Sequence, residues 1–246
     1  MTETKLSVNI NKVALIRNSR GEGMPDLISF AQDCESFGAQ GITVHPRPDE
    51  RHIRYDDIPR LKEVVTTELN IEGNPDKRFM EMVLREKPHQ CTLVPDDPDA
   101  LTSDEGWDTI RHQSFLQDIV SALQEEGIRV SIFVNADLDM VEGAARTGTD
   151  RIELYTGPYA ARFMENPEKS IAPYLEAAHR AHELELELNA GHDFNLENLA
   201  YFIGHTPSVD EVSIGHALIS DALYYGIENT IQMYRQKIRE GLEMKG

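Results

Sequence analysis

The stretch LELNAGHDFNLENLAYFIGHTPSVDEVSIGHA, residues 186–217, decides the fold. It opens on a short alternating run, 186–190, of the kind that forms a strand. Leu196, Leu199 and Phe202/Ile203 then recur at helical spacing. A second β-branched run, EVSI at 211–214, follows. Strand, helix and strand in this order make parallel neighbours, because the helix carries the chain back to the edge from which it started.

The same rhythm fills the chain. Strand candidates lie at 6–11 (LSVNIN), 41–45 (GITVH), 69–72 (LNIE), 90–95 (QCTLVP), 129–135 (RVSIFVN), 151–156 (RIELYT), 186–190 and 211–214. Helical stripes include Leu27, Phe30/Ala31, Cys34 and Phe37, then Phe115, Ile119 and Leu123, and finally Ile227, Ile231, Tyr234 and Ile238. These read as core faces packed on a sheet. Eight units in 246 residues fit an α/β protein of the (β/α)8 TIM-barrel type, with a parallel eight-stranded barrel and extra helices, better than an open doubly wound sheet. The long fourth unit has room for an extra helix at 104–112, and the sixth, with Pro158, Pro167 and Pro173, has room for another. No linker or compositional break divides residues 1–246, so one domain is expected.

Hydrophobic residues make up 40% and charged residues 27%, an ordinary globular balance. Against 24 Lys+Arg stand 43 Asp+Glu, a net charge of -19, which disfavours nucleic acid or an anionic membrane as the main partner. The first 54 residues hold seven basic and seven acidic side chains, so the excess lies beyond them and anion contacts are sought within them. Two lone cysteines, Cys34 and Cys91, suggest a reducing compartment. With no apolar leader and no membrane-length apolar run, a cytoplasmic protein is expected.

A barrel places its chemistry at the C-terminal ends of its strands. After the first strand come Asn9, Asn11, Lys12, Arg17 and Arg20; after the second, His45, Arg47 and His52. Glu72 ends the third, Thr102 follows the fourth, and Glu153 lies inside the sixth. His192 and Asp193 follow the seventh, and Gly215–His216 open the last helical region. Glu72 and Glu153 either face the axis or pair against a helix. His45 alone reads as structural, but beside Arg47, Arg51 and His52 it reads as an anion or acid/base site. Lys12 is a ligand contact or a solvated loop lysine. Gly191 and Gly215 suit close approach of backbone to phosphate, or simply tight turns. A metal is the rival chemistry, with His45, Glu72, Glu153, His192 and His216 as ligands. Against it, no H-x-H or H-E-x-x-H pair occurs, and arginines crowd the same face. A Schiff base would fall to Lys12, because the later strands end without lysine.

The motifs VNI (8–10), RNSRG (17–21), GITVH with DERHI (41–53), NIE (70–72), LVP (93–95), IEL with TG and YA (152–160), NAGH (189–192) and IGHA (214–217) run in order through nearly the whole chain. Together they resemble the pyridoxine 5′-phosphate synthase family. The resemblance implies a (β/α)8 barrel assembled as a homooctamer of four dimers. The implied substrates are aminoacetone phosphate (3-amino-2-oxopropyl phosphate) and 1-deoxy-D-xylulose 5-phosphate, joined to give pyridoxine 5′-phosphate, inorganic phosphate and water. It implies no metal and no organic cofactor.

By the same resemblance, His45 and Glu72 match proton acceptors, His192 a proton donor, and Glu153 a residue that stabilises a transition state. Asn9, Arg20, Gly215 and His216 match contacts to the amino ketone phosphate. Arg47, His52 and Thr102 match contacts to the deoxyxylulose phosphate. Two positions depart from the family pattern: Asn11-Lys12 stands where that pattern has Asp-His, and Asp193 where it has Gly. Asn11 and Lys12 keep hydrogen-bonding capacity at the deoxyxylulose phosphate site. A backbone contact from Asp193 to phosphate would turn its side chain away. The segment 101–112 is the expected lid.

Overall fold

The strands sort their side chains into two kinds. In β1 (Lys5–Asn9), Leu6 and Val8 are fully buried in the apolar core, whereas Lys5, Ser7 and Asn9 meet the polar side chains of Glu68, Thr43 and Glu72. The alternation repeats through β2 (Gly41–Val44), β3 (Leu69–Gly73), β4 (Gln90–Leu93), β5 (Arg129–Val134), β6 (Arg151–Tyr155), β7 (Glu187–His192) and β8 (Glu211–Ile214). In the computed structural model, which describes residues 3–96 and 103–245, these strands pair in parallel as one closed barrel, β1 meeting β8. The apolar set (Ile42, Val44, Ile71, Leu93, Ile132, Leu154, Ala190, Val212) joins the core between sheet and helices.

The polar set lines the axis in layers. Ser7 Oγ and Thr43 Oγ1 lie 2.7 Å apart, Asn70 Nδ2 donates to Thr43 Oγ1 at 3.4 Å, and Thr92 Oγ1 donates to Asn70 Oδ1 at 3.0 Å. At the strand starts, Arg129 Nε and Arg151 Nη1 both donate to Gln90 Oε1 at 3.0 Å, and each arginine also pairs with a glutamate, Glu68 or Glu187. Asn189 Nδ2 donates to Glu211 Oε1 at 3.2 Å.

The described helices are α1 (Asn11–Asn18), α2 (Leu27–Ser36), α3 (Asp57–Val64), α4 (Lys77–Glu86), α5 (Gln113–Glu125), α6 (Leu138–Arg146), α7 (Gly157–Phe163), α8 (Pro167–Glu183), α9 (Leu199–His205), α10 (His216–Tyr225) and α11 (Ile227–Glu243). Asp26, Asp76, Asp137 and Asn166 cap α2, α4, α6 and α8 by accepting a first-turn N–H. The extra helix expected in the sixth unit is present as α7. The one expected at 104–112 is not a helix. There the Gly106 N–H donates to Asn135 Oδ1 (3.2 Å) and the Trp107 N–H to the Phe133 carbonyl (2.9 Å), so the segment spends its donors on the end of β5. An unanticipated helix, α1, follows β1. Its Leu15 and Ile16 are exposed, so it has no apolar stripe to read. In α5 the buried face is Leu116, Val120 and Leu123; Phe115 is half-exposed against Trp107, with Ile119 partly buried beside the core.

Glu211 is completely buried, and burial, followed by the charge of Glu68, pushes its carboxyl up to about 8. The folded chain therefore holds a proton that the unfolded chain has lost, and this contribution fades as pH rises from about 4.5 through 8. Glu211→Gln, which keeps the acceptor for Asn189, is expected to leave stability nearly unchanged at pH 4 and to raise it by roughly 4 kcal/mol at pH 8.5. Denaturant titrations at the two pH values check this.

Candidate active site

Two neighbouring loops are stitched together by asparagines. Asn9 Oδ1 accepts the Asn11 N–H at 3.1 Å where the chain turns from β1 into α1. Asn11 Oδ1 in turn accepts the His45 N–H at 3.0 Å, fixing the residue that follows β2. A carboxylate would accept the same bond, so Asn11 does here what an aspartate could. Asn9 Nδ2 reaches Glu72 Oε2 at 3.5 Å.

His45 is buried between two carboxylates, with Nδ1 3.9 Å from Glu72 Oε2 and Nε2 4.0 Å from Asp96 Oδ2. Asp96 Oδ2 also accepts from Arg47 Nη2 (2.7 Å) and Ser103 Oγ (2.6 Å). Asp96 was not among the sequence candidates. Its signal was position, directly after the fourth strand, where a barrel gathers its reactive groups. Burial, then the charge of Arg47, holds His45 well below its usual range. Burial, then Glu153, pushes Glu72 well above the usual carboxylate range. Both effects favour the same net-neutral pair, with the proton on Glu72 and a neutral imidazole.

His52 Nδ1 accepts the Ile53 N–H at 2.9 Å, so the imidazole is neutral with its hydrogen on Nε2. Burial, with Arg47 and Lys12 nearby, lowers it to about 4. Arg17, expected near the mouth, is instead a buried strut. It grips Asp57 with two nitrogens (2.6 and 2.9 Å) and donates to the His52 carbonyl at 3.1 Å. Asn18 Nδ2 adds bonds to the Arg51 and His52 carbonyls. These residues hold the segment that presents Arg47 and His52.

Across the barrel, Glu153 faces the axis and is buried. Its Oε2 has no hydrogen-bond partner among the described residues, and burial raises the carboxyl to about 7 against the pull of His192 and Arg151. Gly191 makes room for it, because a Cβ there would overlap Glu153 Oε1 and press on the Ser213 carbonyl. His192 packs edge-on against Tyr155, with centroids 5.5 Å apart, and meets Asp193 Oδ2 through Nδ1 at 3.0 Å. Gly215 lies against Asn9, where a Cβ would sit 3.1 Å from the Asn9 Cβ. It leads into α10, which starts at His216 with no side-chain cap and no acid in its first turn. That leaves backbone donors and the positive dipole end for an anion.

The strand ends thus bring together Asn9, Asn11, His45, Arg47, His52, Glu72, Glu153, His192 and Gly215. Arg20 stands apart, its side chain exposed and 3.7 Å from Glu22. Thr102 lies outside the described residues, as does the start of the expected lid. In the rest of that segment Ser103, Trp107 and Thr109 are buried, while Asp104, Glu105, Asp108 and Ile110 are exposed. A cavity of about 440 Å³ adjoins the His192 side, lined by Asp104, Asn135, Tyr155 and Tyr174. Among the described residues, no three of His, Cys, Asp and Glu group as a metal site would.

The family model for "Pyridoxal phosphate biosynthesis protein PdxJ" matches residues 6–240. Pyridoxine 5′-phosphate synthase of Cytophaga hutchinsonii is 60% identical over 237 residues, covering 96% of this chain and 100% of the relative. The protein of the same name from Bacteroides thetaiotaomicron is 58% identical over 236 residues, covering 96% and 100%. Among solved structures, 3-keto-L-gulonate-6-phosphate decarboxylase of Vibrio cholerae superposes with a TM-score of 0.66 at 11% identity, covering 97% of this chain and 98% of that one. At that identity the likeness concerns the fold alone.

Gly191→Ala is expected to fold at a cost of about 1–3 kcal/mol. It displaces the Glu153 carboxyl, which removes most activity. Thermal melts compared with turnover read the two effects separately.

Proposed function

The chain belongs to the PdxJ family of pyridoxal phosphate biosynthesis proteins and is a ring-forming synthase of pyridoxine 5′-phosphate, and we propose that it condenses aminoacetone phosphate with 1-deoxy-D-xylulose 5-phosphate by metal-free acid/base catalysis. The observation that carries the mechanism is the net-neutral His45–Glu72 pair facing Glu153 and His192 across one barrel mouth.

Amine attack on a ketone, loss of water, loss of phosphate and ring closure all move protons between carbon, nitrogen and oxygen. Such steps want groups of differing proton affinity close together. Neutral His45 is ready to take a proton. Glu72 gives its proton up first and acts as a base afterwards. Glu153, near 7, stabilises developing positive charge when ionised and hydrogen-bonds oxygen when protonated. His192 protonates the departing oxygen. Arg47, His52, Lys12, Asn11 and Thr102 hold the deoxyxylulose phosphate, which competes with Asp96 for the Arg47 fork. Asn9, Arg20, Gly215 and His216 hold the amino ketone phosphate at the start of α10.

We further place the protein in the cytoplasm as a homo-oligomer, an octamer of four dimers. Two buried, unbridged cysteines support the reducing compartment. The end of α10 supports the assembly: Leu223 and Tyr224 are 74% and 86% exposed, neighbouring large apolar side chains of the kind that a partner covers. Among the described residues no helix is long and apolar enough to cross a membrane.

Purified protein given both substrates in the presence of EDTA is expected to form pyridoxine 5′-phosphate, detected by absorbance and mass. A metal requirement or the absence of product would sink the reading. His45→Ala and Glu72→Gln are each expected to cut turnover by roughly 100-fold or more while the barrel stays folded. Light scattering is expected to return the mass of eight chains.

A further inference from the structure

His192 carries backbone strain that its neighbours hold in place. Its φ is +103°, a region that side chains other than glycine rarely enter. On one side, the Gly191 carbonyl accepts from the Thr156 N–H (3.1 Å) and from Thr156 Oγ1 (2.6 Å). On the other, the Asp193 N–H points at Thr156 Oγ1 (3.4 Å), and the Asp193 carbonyl accepts from Asn198 Nδ2 (3.3 Å). Asn198 and Phe194 are buried, so these anchors are fixed. Pinned this way, the two consecutive side chains meet, His192 Nδ1 to Asp193 Oδ2, at 3.0 Å.

A carboxylate can only accept a hydrogen bond, so the proton between them sits on Nδ1. We infer that Asp193 is a positioning residue: it locks His192 in the tautomer protonated at Nδ1, leaves proton exchange with substrate to Nε2, and supports the imidazolium charge. The inference rests on the reading of His192 as the acid of the ring-forming reaction. Asp193 thereby has a side-chain role in place of the substrate contact that the motif comparison implies, since its N–H is directed at Thr156 rather than at a ligand. The hydrogen bond from His192, opposed by burial and aided by the charges of His192 and His216, keeps Asp193 below the usual carboxylate range. The acceptor form therefore persists at neutral pH.

The proton balance is simple. Imidazolium gives the Nε2 proton to the departing substrate oxygen. The ring is left neutral, with Nδ1–H still bonded to Asp193, and reprotonation at Nε2 restores it. Among the described residues, the other titratable groups near this ring or its Asp193 partner are Glu153 and Tyr155 on β6, His45 after β2 and His216 at the start of α10. None of them lies within hydrogen-bond distance of Nδ1 in the way Asp193 does.

Long-range proton–nitrogen NMR on the native enzyme, with His192 assigned by comparison with His192→Gln, reads the tautomer directly. The neutral ring is expected to be Nδ1-protonated. Asp193→Asn is expected to lower kcat roughly tenfold with both KM values within about twofold. An Nε2-protonated ring in the native enzyme overturns the inference, as does an Asp193→Asn enzyme with raised KM and unchanged kcat. If that variant does not fold, the native spectrum still decides. Full turnover by His192→Gln would instead remove the acid assignment, whatever the tautomer.

Discussion

Closing eight parallel strands forces every second side chain onto the barrel axis, and in this chain those side chains are polar. Ser7, Thr43, Asn70, Thr92, Ser131, Glu153, Asn189 and Ser213 occupy a level where many barrels carry branched apolar residues. The apolar residues of the same strands turn outward to the helices, so stability comes from the sheet–helix layer. The interior is left with a different constraint, that buried polar groups find partners. The strand starts meet it in part, with arginines shared between Gln90 and glutamates, while Gln90 Nε2 and Glu211 Oε2 have no partner among the described residues. Higher up it is met incompletely, at Ser131, Glu153 and Asn189.

That incompleteness bears on chemistry. An axis withdrawn from water but not apolar moves proton affinities without removing the groups that carry protons. The same burial that raises Glu72 and Glu153 lowers His45. No loop motion or bound ion is needed to separate them. The three catalytic candidates differ because burial penalises the charged form of each, and the charged forms have opposite sign. Asp96, by contrast, is engaged by hydrogen bonds from Arg47 and Ser103.

The fold was legible because alternation within strands survives inversion of the barrel. Polar residues at every second position read as strand whether they face solvent or an axis, and eight such runs were found with their ends within a residue or two. Direction was the part that could not be read. Glu72 and Glu153 were open between axis and helix until the closed pairing turned them inward. Arg17 looked like a mouth arginine because it follows β1, and only the position of Asp57, forty residues on, makes it a strut. Residues 104–112 looked helical by length alone, while Gly106 and Trp107 commit their N–H groups to β5. The helix α1 was missed because it shows no apolar stripe.

The charge distribution follows the same logic of place over total. A net charge of -19 would repel phosphorylated substrates if it were spread evenly, yet the groups proposed to meet them come from the neutral first 54 residues and from the backbone at the start of α10. The acidic surplus lies farther along the chain. Screening at physiological salt extends over about 8 Å, so surface acids at the barrel's flank act weakly at its mouth. Within the mouth, the buried Glu72 carboxyl is held toward its protonated, neutral form, and the Asp96 carboxylate is offset by Arg47. The groups proposed to meet phosphate are therefore Arg47, Lys12, neutral imidazoles and peptide N–H groups, in a chain whose composition alone points the other way.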